Sequence, residues 1–451
     1  MATQTRWGIV GGGLLGMELG RRLAGDGDDV TVFEAASEPG GLATTWPIAG
    51  TRWDKHYHVI LPTDTRLVQL LSELGLGDTV RWEKSSTGLF AGGEIHSVSS
   101  TSEFLRLPSL RLIDKLRLGM TMLYASRVNN WRRLERISAE KWLSRWSGAR
   151  TYRGFWRPLL RSKLGDNANR ASAAFIWAIM KRLYRARTSG AKVEKLGVAR
   201  GGYGEILDAQ AAAFVAAGAR LIANAQVESV KTNGSDGVTV TVAGGEQHEF
   251  DRVIVTTAAP AITGIVSELT VPERTNLDTI LYQGIICASF VLDRPLGGFY
   301  VTNITDEGFP FTGVIEMTAL VGTETFGGRH LVYLPRYTTA DDEAWEWSDD
   351  EVVALFMSSL QRMYPDLTTD HLIEAKTSRV RHVLAVSTIG HSAAIPPVWT
   401  SVPNVAIVSS AQIMHGTLNV DETLGVIEAA LPQLRAHWAT SAPKGELADG
   451  R

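Results

Sequence analysis

The chain contains almost no cysteine, which limits how its fold can be held together covalently. Cys287 is the only cysteine among 451 residues, so no disulfide can form within one chain. Chains without disulfides are typical of reducing compartments, and we therefore expect a cytoplasmic protein. We also predict no metal site.

Long uncharged apolar runs are absent as well. The best candidates, near Val253 and Ile285, are interrupted or too short to cross a bilayer, so we expect no transmembrane helix.

A β-forming stretch begins within a few residues of Met1, which by expectation leaves no room for a signal peptide. With 44% hydrophobic and 21% charged residues, a chain of this length is predicted to be globular and to form at least two domains.

Acidic residues are scarce in one part of the chain. Between residues 101 and 190 there are 20 lysines and arginines but only 5 aspartates and glutamates, whereas the whole chain has a net charge of −3. Such asymmetry favours an anionic partner for this basic segment. Its pattern is mainly helical and includes an apolar stripe, with Lys115 outside it, that consists of Leu110, Ile113, Leu116, Met120 and Leu123.

Three interpretations of the basic segment stay open. Its arginines, lysines and tryptophans, Lys163 among them, could form a solvated helical domain in which they stack on one another. They could instead line a positively charged cleft for a substrate that carries phosphate or carboxylate. They could also make a peripheral membrane contact, because tryptophan and arginine both favour the interface. Nucleic acid is not expected, since no recognised module supports it.

The strongest motif lies near the beginning of the chain. A short apolar strand leads into Gly11-x-Gly13-x-x-Gly16, a helical run follows, and a second strand ends at Glu34. In such a crossover the first glycine allows a tight turn, the second lets the backbone approach a pyrophosphate, and the third lets helix and strand pack closely. The phosphates then lie at the positive end of the helix, and the acid binds a ribose. The motif predicts a dinucleotide site.

Further motifs make the prediction more specific. Glu34 is followed by Gly40-Gly41, and the stretch Asp54-x-x-x-His58 comes shortly after. These residues resemble the FAD fingerprint of the superfamily of amine oxidases, protoporphyrinogen oxidases and phytoene desaturases. Members of the superfamily usually have arginine after the glycine pair, where this chain has Leu42, and glycine where it has His56.

Two later blocks resemble the same superfamily in the same order. Gly201-Gly202-x-Gly204 precedes a helix and a strand that begins at Val227, where the resemblance implies backbone pairing with the adenine. A strand ending at Thr257 follows, and a later strand leads through Ser410 into a helix near Asn419. The resemblance implies that the amino end of this last helix faces the N1–C2=O edge of the flavin.

The resemblance implies one FAD, bound non-covalently because Cys287 lies outside any flavin-attachment motif. The residues expected to contact it are Gly11, Gly13, Leu15, Gly16, Glu34, Ala35, Gly40, Gly41, Leu42, Ala43, Val227, Thr257, Ser410, Leu418, Asn419 and Val420. His58 and His415 are predicted as polar groups at the flavin, and neither is assigned as an acid or a base.

The predicted fold is an α/β architecture with a Rossmann-like FAD-binding domain of the GR2 type that is interrupted twice. That domain is expected to comprise residues 1–90, 195–270 and 395–440. A discontinuous α+β substrate domain, residues 91–194 and 271–394, would contain the basic helical insertion. Residues 441–451 are predicted to be a flexible tail.

The resemblance implies an oxidoreductase that transfers a hydride from a substrate C–H bond to flavin N5 and so produces a double bond or an imine. We expect an anionic or amphipathic small-molecule substrate, and oxygen, a quinone or another diffusible acceptor, because there is no second Gly-x-Gly-x-x-Gly for a nicotinamide nucleotide. One alternative is redox-neutral catalysis on a nucleotide sugar, as in UDP-galactopyranose mutase, whose diphosphate substrate suits the basic segment. Another is a flavin-binding subunit without catalysis.

Overall fold

A computed structural model describes residues 4–106, 110–188, 195–414 and 416–441 of the chain. His415 and the predicted tail beyond Ser441 lie outside the described residues. The strands within the described ranges are β1 Arg6–Val10, β2 Asp29–Phe33, β3 Thr45–Ile48, β4 Thr51–Asp54, β5 Val80–Lys84, β6 Thr87–Ala91, β7 Glu94–Ser97, β8 Lys195–Ala199, β9 Arg220–Ile222, β10 Val227–Thr232, β11 Val238–Val242, β12 Gln247–Phe250, β13 Arg252–Val255, β14 Tyr282–Leu292, β15 Val301–Ile304, β16 Gly313–Glu316, β17 His330–Thr338, β18 Leu372–Ala385 and β19 Val405–Ile407.

The α-helices within the same ranges are α1 Leu14–Gly25, α2 Thr65–Glu73, α3 Thr101–Arg106, α4 Leu112–Arg127, α5 Trp131–Glu135, α6 Ala139–Ser147, α7 Ala149–Thr151, α8 Arg157–Leu164, α9 Ala173–Thr188, α10 Gly202–Ala216, α11 Ala259–Ile265, α12 Val271–Asp278, α13 Thr318–Val321, α14 Asp349–Met363, α15 His391–Ala394 and α16 Val420–Ser441. A π-helical turn, Tyr152–Trp156, joins α7 to α8. In the described part of the chain, no helix is long and apolar enough to cross a membrane.

The smaller of the two main sheets has five parallel strands in the order β19-β13-β1-β2-β9. The strands β1, β2 and β13 are buried almost throughout, which agrees with their apolar sequences, because a parallel sheet is covered on both faces. The helix α1 connects β1 to its parallel neighbour β2, so the crossover predicted from the glycine motif is confirmed. A core that includes Leu19, Leu23 and Phe214 packs α1 against α10.

Close approach of α1 to the end of β1 depends on Gly16. A Cβ atom at this position would lie 2.0 Å from the carbonyl oxygen of Gly11, a distance that no side chain tolerates. Gly11 itself has a φ of +109°, a conformation that favours glycine. The first and third glycines of the motif therefore have the structural tasks that the sequence pattern predicts.

The larger sheet has seven strands in the order β18-β14-β17-β16-β15-β6-β7. One face carries Cys287, Ile285 and Tyr333 and packs against Trp53, which belongs to β4. The opposite face packs against α14. Since β14 is buried along its whole length, this sheet forms the centre of the second half of the molecule.

The basic segment forms the helices α3 to α9, but four of the five residues in its apolar stripe face solvent, and only Leu110, which precedes α4, is buried. Ile113, Leu116 and Met120 on α4 are exposed, whereas Lys115 is buried and donates to the carbonyl oxygen of Leu105 at 2.6 Å. An apolar stripe on a helix ordinarily faces the core, so the orientation of α4 is the reverse of what its sequence pattern indicates.

Candidate functional site

The carboxyl ends of the parallel strands meet at one edge of the five-stranded sheet. Gly11 follows β1, Glu34 follows β2, Thr257 comes two residues after β13, and Ser410 comes three residues after β19. In open α/β sheets, ligands bind outside this edge. The fold therefore brings together four predicted cofactor residues that come from opposite ends of the chain.

Two glycine-containing turns lie against each other at this edge. Gly13 and Gly40 form an isolated bridge, and the amide of Gly40 donates to the carbonyl oxygen of Gly12 at 2.8 Å. Gly13 is also the residue that precedes α1, and no side chain caps the amino end of this helix. The first turn of α1 contains no acidic residue, so its amide groups and the helix dipole are available to an anion.

The carboxylate of Glu34 is held in place by two backbone amides. The amide of Gly12 donates to Oε2 at 2.8 Å, and the amide of Ala36 donates to Oε1 at 2.9 Å. The carbonyl oxygen of Glu34 accepts from Ala225 at 2.8 Å, two residues before β10 begins at Val227. The predicted ribose-binding acid and the predicted adenine-pairing strand are therefore neighbours.

The side chain of Thr257 has a buried hydroxyl oxygen without a hydrogen-bond partner among the described residues. A Cβ atom on Gly11 would lie 3.4 Å from the Cγ2 atom of Thr257, so this threonine adjoins the glycine turn. Buried hydroxyls are normally satisfied, and an unsatisfied one beside an uncapped helix end fits a polar ligand group. These features together fit the phosphates of a dinucleotide.

The remaining predicted cofactor residues surround the same edge. Leu15 and Ala43 are buried in the core beneath the glycine turns, and Leu418 and Val420 pack against that core. Ala35 is exposed next to Glu34, and Leu42 is half-buried in a short turn with Gly41 and Ala43. Their contacts with a cofactor stay predictions.

Asn419 caps the amino end of α16, as its spacing to Glu422 indicates. Its Oδ1 atom accepts from the amide of Glu422 at 2.9 Å. Asp421 in the same turn accepts from the amides of Arg66 at 2.7 Å and Leu67 at 3.1 Å. Asp421 thereby caps α2 and joins the two helices beside the site.

Burial raises the pKa of Glu422 above its usual range, and the neighbouring Asp421 adds to this effect. A second buried acid, Asp64, is paired with Arg182, whose Nη2 atom lies 2.7 Å from Oδ1 and 2.9 Å from Oδ2. This ion pair connects α9 of the basic segment to the chain just before α2. One predicted basic residue thus has an internal acidic partner and joins two parts of the fold.

The Asp54-x-x-x-His58 stretch also joins separate elements. The Oδ1 atom of Asp54 accepts from the amide of Tyr203 at 2.8 Å, at the amino end of α10, and its carbonyl oxygen accepts from the hydroxyl of Tyr333 at 2.6 Å. The His58 ring lies against Tyr203 with 4.5 Å between centroids and planes tilted by 40°. Its Nδ1 atom is 3.5 Å from Oδ2 of Asp54 and is buried without a hydrogen-bond partner among the described residues.

His56 replaces the usual glycine of this stretch and is neutral under ordinary conditions. Burial lowers its pKa to about 3, and the nearby His58 and Lys55 contribute in the same direction. Its Nδ1 atom is buried without a partner among the described residues. At neutral pH His56 is therefore an uncharged imidazole, next in sequence to Tyr57.

Two tyrosines that no sequence motif indicates are hydrogen-bonded to each other. The hydroxyl oxygens of Tyr57 and Tyr337 lie 2.8 Å apart, and both side chains are half-buried. Burial raises the pKa of each phenol above its usual value, so both stay protonated. Tyr57 lies within the Asp54–His58 stretch, but its partner comes 280 residues later in the sequence. The sequence therefore could not indicate that the two residues meet.

Lys163 has an unusual position on α8. It follows Leu160 by three residues and Leu159 by four, so it lies on the face of the helix that packs inward. Nevertheless, its side chain is exposed, and it has no hydrogen-bond or ion-pair partner in the described part of the chain. The surrounding protein nevertheless desolvates its ammonium group enough to lower the pKa. Lys163 is therefore a cation that is accessible to solvent and has no acidic partner among the described residues.

The turn that follows Lys163 packs against Tyr337 of the tyrosine pair. Gly165 comes two residues after Lys163, and a Cβ atom there would lie 2.5 Å from the carbonyl oxygen of Tyr337. Asn167 in the following turn donates to Gln283 of β14 at 2.9 Å. The basic segment is thus fastened to the larger sheet at the point where Tyr337 meets Tyr57.

No group of three or more histidine, cysteine, aspartate or glutamate side chains in the described ranges could hold a metal ion. The polar groups that converge on the edge of the parallel sheet are backbone amides, hydroxyls and one carboxylate. This composition suits phosphate and ribose oxygens.

A family model described as Flavin containing amine oxidoreductase matches residues 16–414 of the chain. Among curated proteins, AofH of Mycobacterium tuberculosis, whose name describes a flavin-containing monoamine oxidase, is 27% identical over 277 residues. That match covers 58% of this chain and 59% of the relative, which is less than two thirds of the length of the relative. The predicted superfamily resemblance is confirmed.

Solved structures share the whole architecture. An Exiguobacterium protein named as a protoporphyrinogen oxidase has a TM-score of 0.77 at 14% identity, with 96% of this chain and 99% of that chain covered. Reduced UDP-galactopyranose mutase has a TM-score of 0.73 at 14% identity, with 98% of each chain covered. At these identities the likeness shows the fold alone, and it confirms the predicted α/β class.

The buried neutral His56 predicts an acid-sensitive free energy of unfolding. Because its pKa is lowered on folding, the unfolded chain binds a proton between pH 6.5 and 3 that the folded chain does not, so stability falls as the pH falls through this window. We expect the wild-type apoprotein to lose about 3 kcal/mol more than His56→Gln between pH 7 and pH 4. Urea unfolding at several pH values measures this difference, and parallel curves for the two proteins would contradict it.

Proposed function

The chain belongs to the Flavin containing amine oxidoreductase family, and we propose that it is an FAD-dependent oxidoreductase acting on an anionic small molecule. The observation that carries the cofactor assignment is the uncapped amino end of α1, where Gly13 lies against the Gly40-Gly41 turn beside the carboxylate of Glu34. A flavin mononucleotide has one phosphate and no ribose, so it would leave Glu34 without a partner. FAD has a pyrophosphate for the amino end of α1 and an adenosine ribose for Glu34.

The chain's own residues would hold FAD without a covalent bond. Cys287 is fully buried in the larger sheet, and burial raises the pKa of its thiol to about 12, so a reactive thiolate does not form there. The amides of the first turn of α1 would bind the pyrophosphate, because this helix end has no side-chain cap and no acidic residue. The amino end of α16 is capped by Asn419 and carries Asp421 and Glu422 in its first turn, so it is less suited to negative charge on the flavin.

The chemistry that bound FAD supplies is removal of a hydride from a substrate C–H bond to N5, with imine or double-bond formation and later release of the electrons to oxygen or a quinone. We expect the reacting bond to lie near uncharged groups, namely the hydrogen-bonded phenols of Tyr57 and Tyr337 and the neutral imidazole of His56. Such groups exclude water and orient the substrate, and they do not compete for its protons at neutral pH.

The anionic character of the substrate is supported by Lys163. An ammonium group that the protein partly desolvates and that has no acidic partner is suited to bind an anionic ligand. The turn after Lys163 contacts Tyr337, so a carboxylate or phosphate bound at Lys163 would belong to the same molecule that reaches the tyrosine pair. This is the cleft interpretation of the basic segment.

Gly13→Ala should weaken flavin binding without unfolding the protein. Gly13 has a φ of −65°, which alanine adopts, and the nearest atom to an added Cβ is 3.9 Å away, so the apoprotein has room for a methyl group. The methyl group would obstruct the close approach of a pyrophosphate, and we expect FAD affinity to fall by at least about tenfold. Titration of apoprotein with FAD, followed by flavin fluorescence, measures the change.

The matched control for this variant is Gly25→Ala at the other end of the same helix, where an added Cβ meets no atom within 4 Å. It should bind FAD like the wild type and have equal or slightly higher stability. Equal FAD affinity in both variants would show that the pyrophosphate does not bind at Gly13.

Anaerobic mixing of the FAD-loaded protein with a panel of compounds tests the reaction type. We expect the flavin absorbance to bleach with a C–H donor that carries a carboxylate or phosphate, and to return when oxygen or a quinone is added. The panel should contain carboxylated amines, a porphyrinogen, UDP-galactopyranose and a cationic diamine as the opposite-charge control. Turnover of the nucleotide sugar by pre-reduced protein without acceptor consumption would show mutase chemistry. Bleaching by no member of the panel would favour a non-catalytic subunit.

Lys163→Met should raise the KM of the anionic substrate by at least about tenfold and change kcat little, because the lost charge binds ground state and transition state alike. Burial lowers the pKa of Lys163, so the wild-type KM should begin to rise at a pH below the ordinary lysine value of 10.5. Lys163→Arg keeps its charge and should restore affinity while removing this pH dependence. The exposed Lys231→Met is the matched control, and equal effects of both Met variants would refute the assignment.

A further inference from the structure

The helix α4 presents a large apolar face to solvent. Leu112, Leu116 and Met120 are 68%, 56% and 69% exposed, and Ile113, Leu123 and Tyr124 are exposed beside them. These six residues recur at helical spacing and define what we call the α4 face. Isolated exposed apolar residues are common, but a continuous face of this kind marks an interaction surface.

The orientation of α4 is imposed by hydrogen bonds on its other side. The hydroxyl of Ser147 on α6 donates to Oγ1 of Thr121 at 2.9 Å and accepts from the indole of Trp156 at 3.0 Å. Asp114 accepts from the hydroxyl of Thr151 at 3.2 Å. Turning the α4 face inward would break these buried contacts and leave their polar groups unsatisfied. The outward apolar face is therefore a fixed feature of the fold.

Aromatic residues extend the α4 face toward α6. The ring of Tyr124 stacks on that of Trp146, with centroids 4.0 Å apart and planes inclined by 24°, and Trp146 is itself exposed. An exposed tyrosine–tryptophan pair at the border of an apolar face is typical of side chains that sit at the boundary between hydrocarbon and water.

The surroundings of the α4 face are strongly basic. The segment from 101 to 190 has a net charge of +15, counted from its 20 basic and 5 acidic residues. Exposed basic side chains on or next to α4 and α6 are Arg106, Arg111, Arg117, Arg127, Lys141 and Arg145. An apolar face with a basic border is complementary to a surface that combines hydrocarbon with negative charge.

We propose that the α4 face docks the protein onto the surface of a membrane that contains anionic lipids. The helix would lie in the plane of the interface, with the apolar side chains among the acyl chains and the basic residues at the phosphates. A second copy of the chain is a poorer occupant, because pairing two α4 faces would bring two segments of +15 together. This inference does not depend on the identity of the cofactor or the substrate.

Vesicle flotation of the full-length protein tests the proposal. The wild type should bind vesicles of phosphatidylcholine mixed with phosphatidylglycerol, should bind pure phosphatidylcholine vesicles less, and should dissociate as salt is added. The double variant Leu116→Glu/Met120→Glu should bind the mixed vesicles at least about tenfold less, because two apolar contacts are replaced by charges that the lipids repel. Both positions are exposed, so the fold tolerates the change.

The matched control is Val215→Glu/Val271→Glu, which places the same two charges at apolar residues that are 65% and 77% exposed on α10 and α12. It should bind vesicles like the wild type. Equal binding of the α4 variant and the wild type, or no binding of the wild type, would overturn the proposal. A wild-type dimer that the α4 variant dissociates, without vesicle binding, would show instead that a second copy covers the face.

Discussion

The geometry of parallel strands is the constraint on which the candidate site depends. Parallel neighbours must end at the same edge, so the residues that follow β1, β2, β13 and β19 converge whatever lies between them in the sequence. The glycine turns and the uncapped amino end of α1 then turn this edge into an anion site made of backbone groups. The large insertions elsewhere leave it intact because they join the sheet only through strand ends.

One buried aspartate, Asp54, contacts both this part of the molecule and the larger sheet. Asp54 binds the amide of Tyr203 in the cofactor half, and its backbone carbonyl binds Tyr333 in the larger sheet. The loop after Asp54 follows the same division, because Tyr57 contacts Tyr337 of the larger sheet and His58 contacts Tyr203 of α10. A cofactor bound at one sheet and a substrate bound at the other would be positioned by the same short stretch.

Basic residues of this segment have three different roles in the molecule, and the net charge of the segment does not show which residue has which role. Arg182 is paired with the buried Asp64 and serves the structure. Lys163 is exposed and has no acidic partner among the described residues, and the turn after it contacts Tyr337, so a ligand anion can reach it. The basic residues around α4 border an apolar face on the outside. Burial and pairing, which vary from residue to residue, decide the role of each charge.

The sequence by itself determined the crossover, the order of the cofactor blocks and the cap at Asn419, because each depends on residues a few positions apart whose conformational needs are local. Only the tertiary structure decided that Tyr57 meets Tyr337, that Lys163 has no acidic partner, and that α4 turns its apolar side outward. The helical period of a sequence predicts which residues share a face of a helix, but it does not predict whether that face packs against the core or is exposed to solvent. The orientation of α4 is set by hydrogen bonds that involve Ser147 and Trp156, and these bonds form only when the helices pack together.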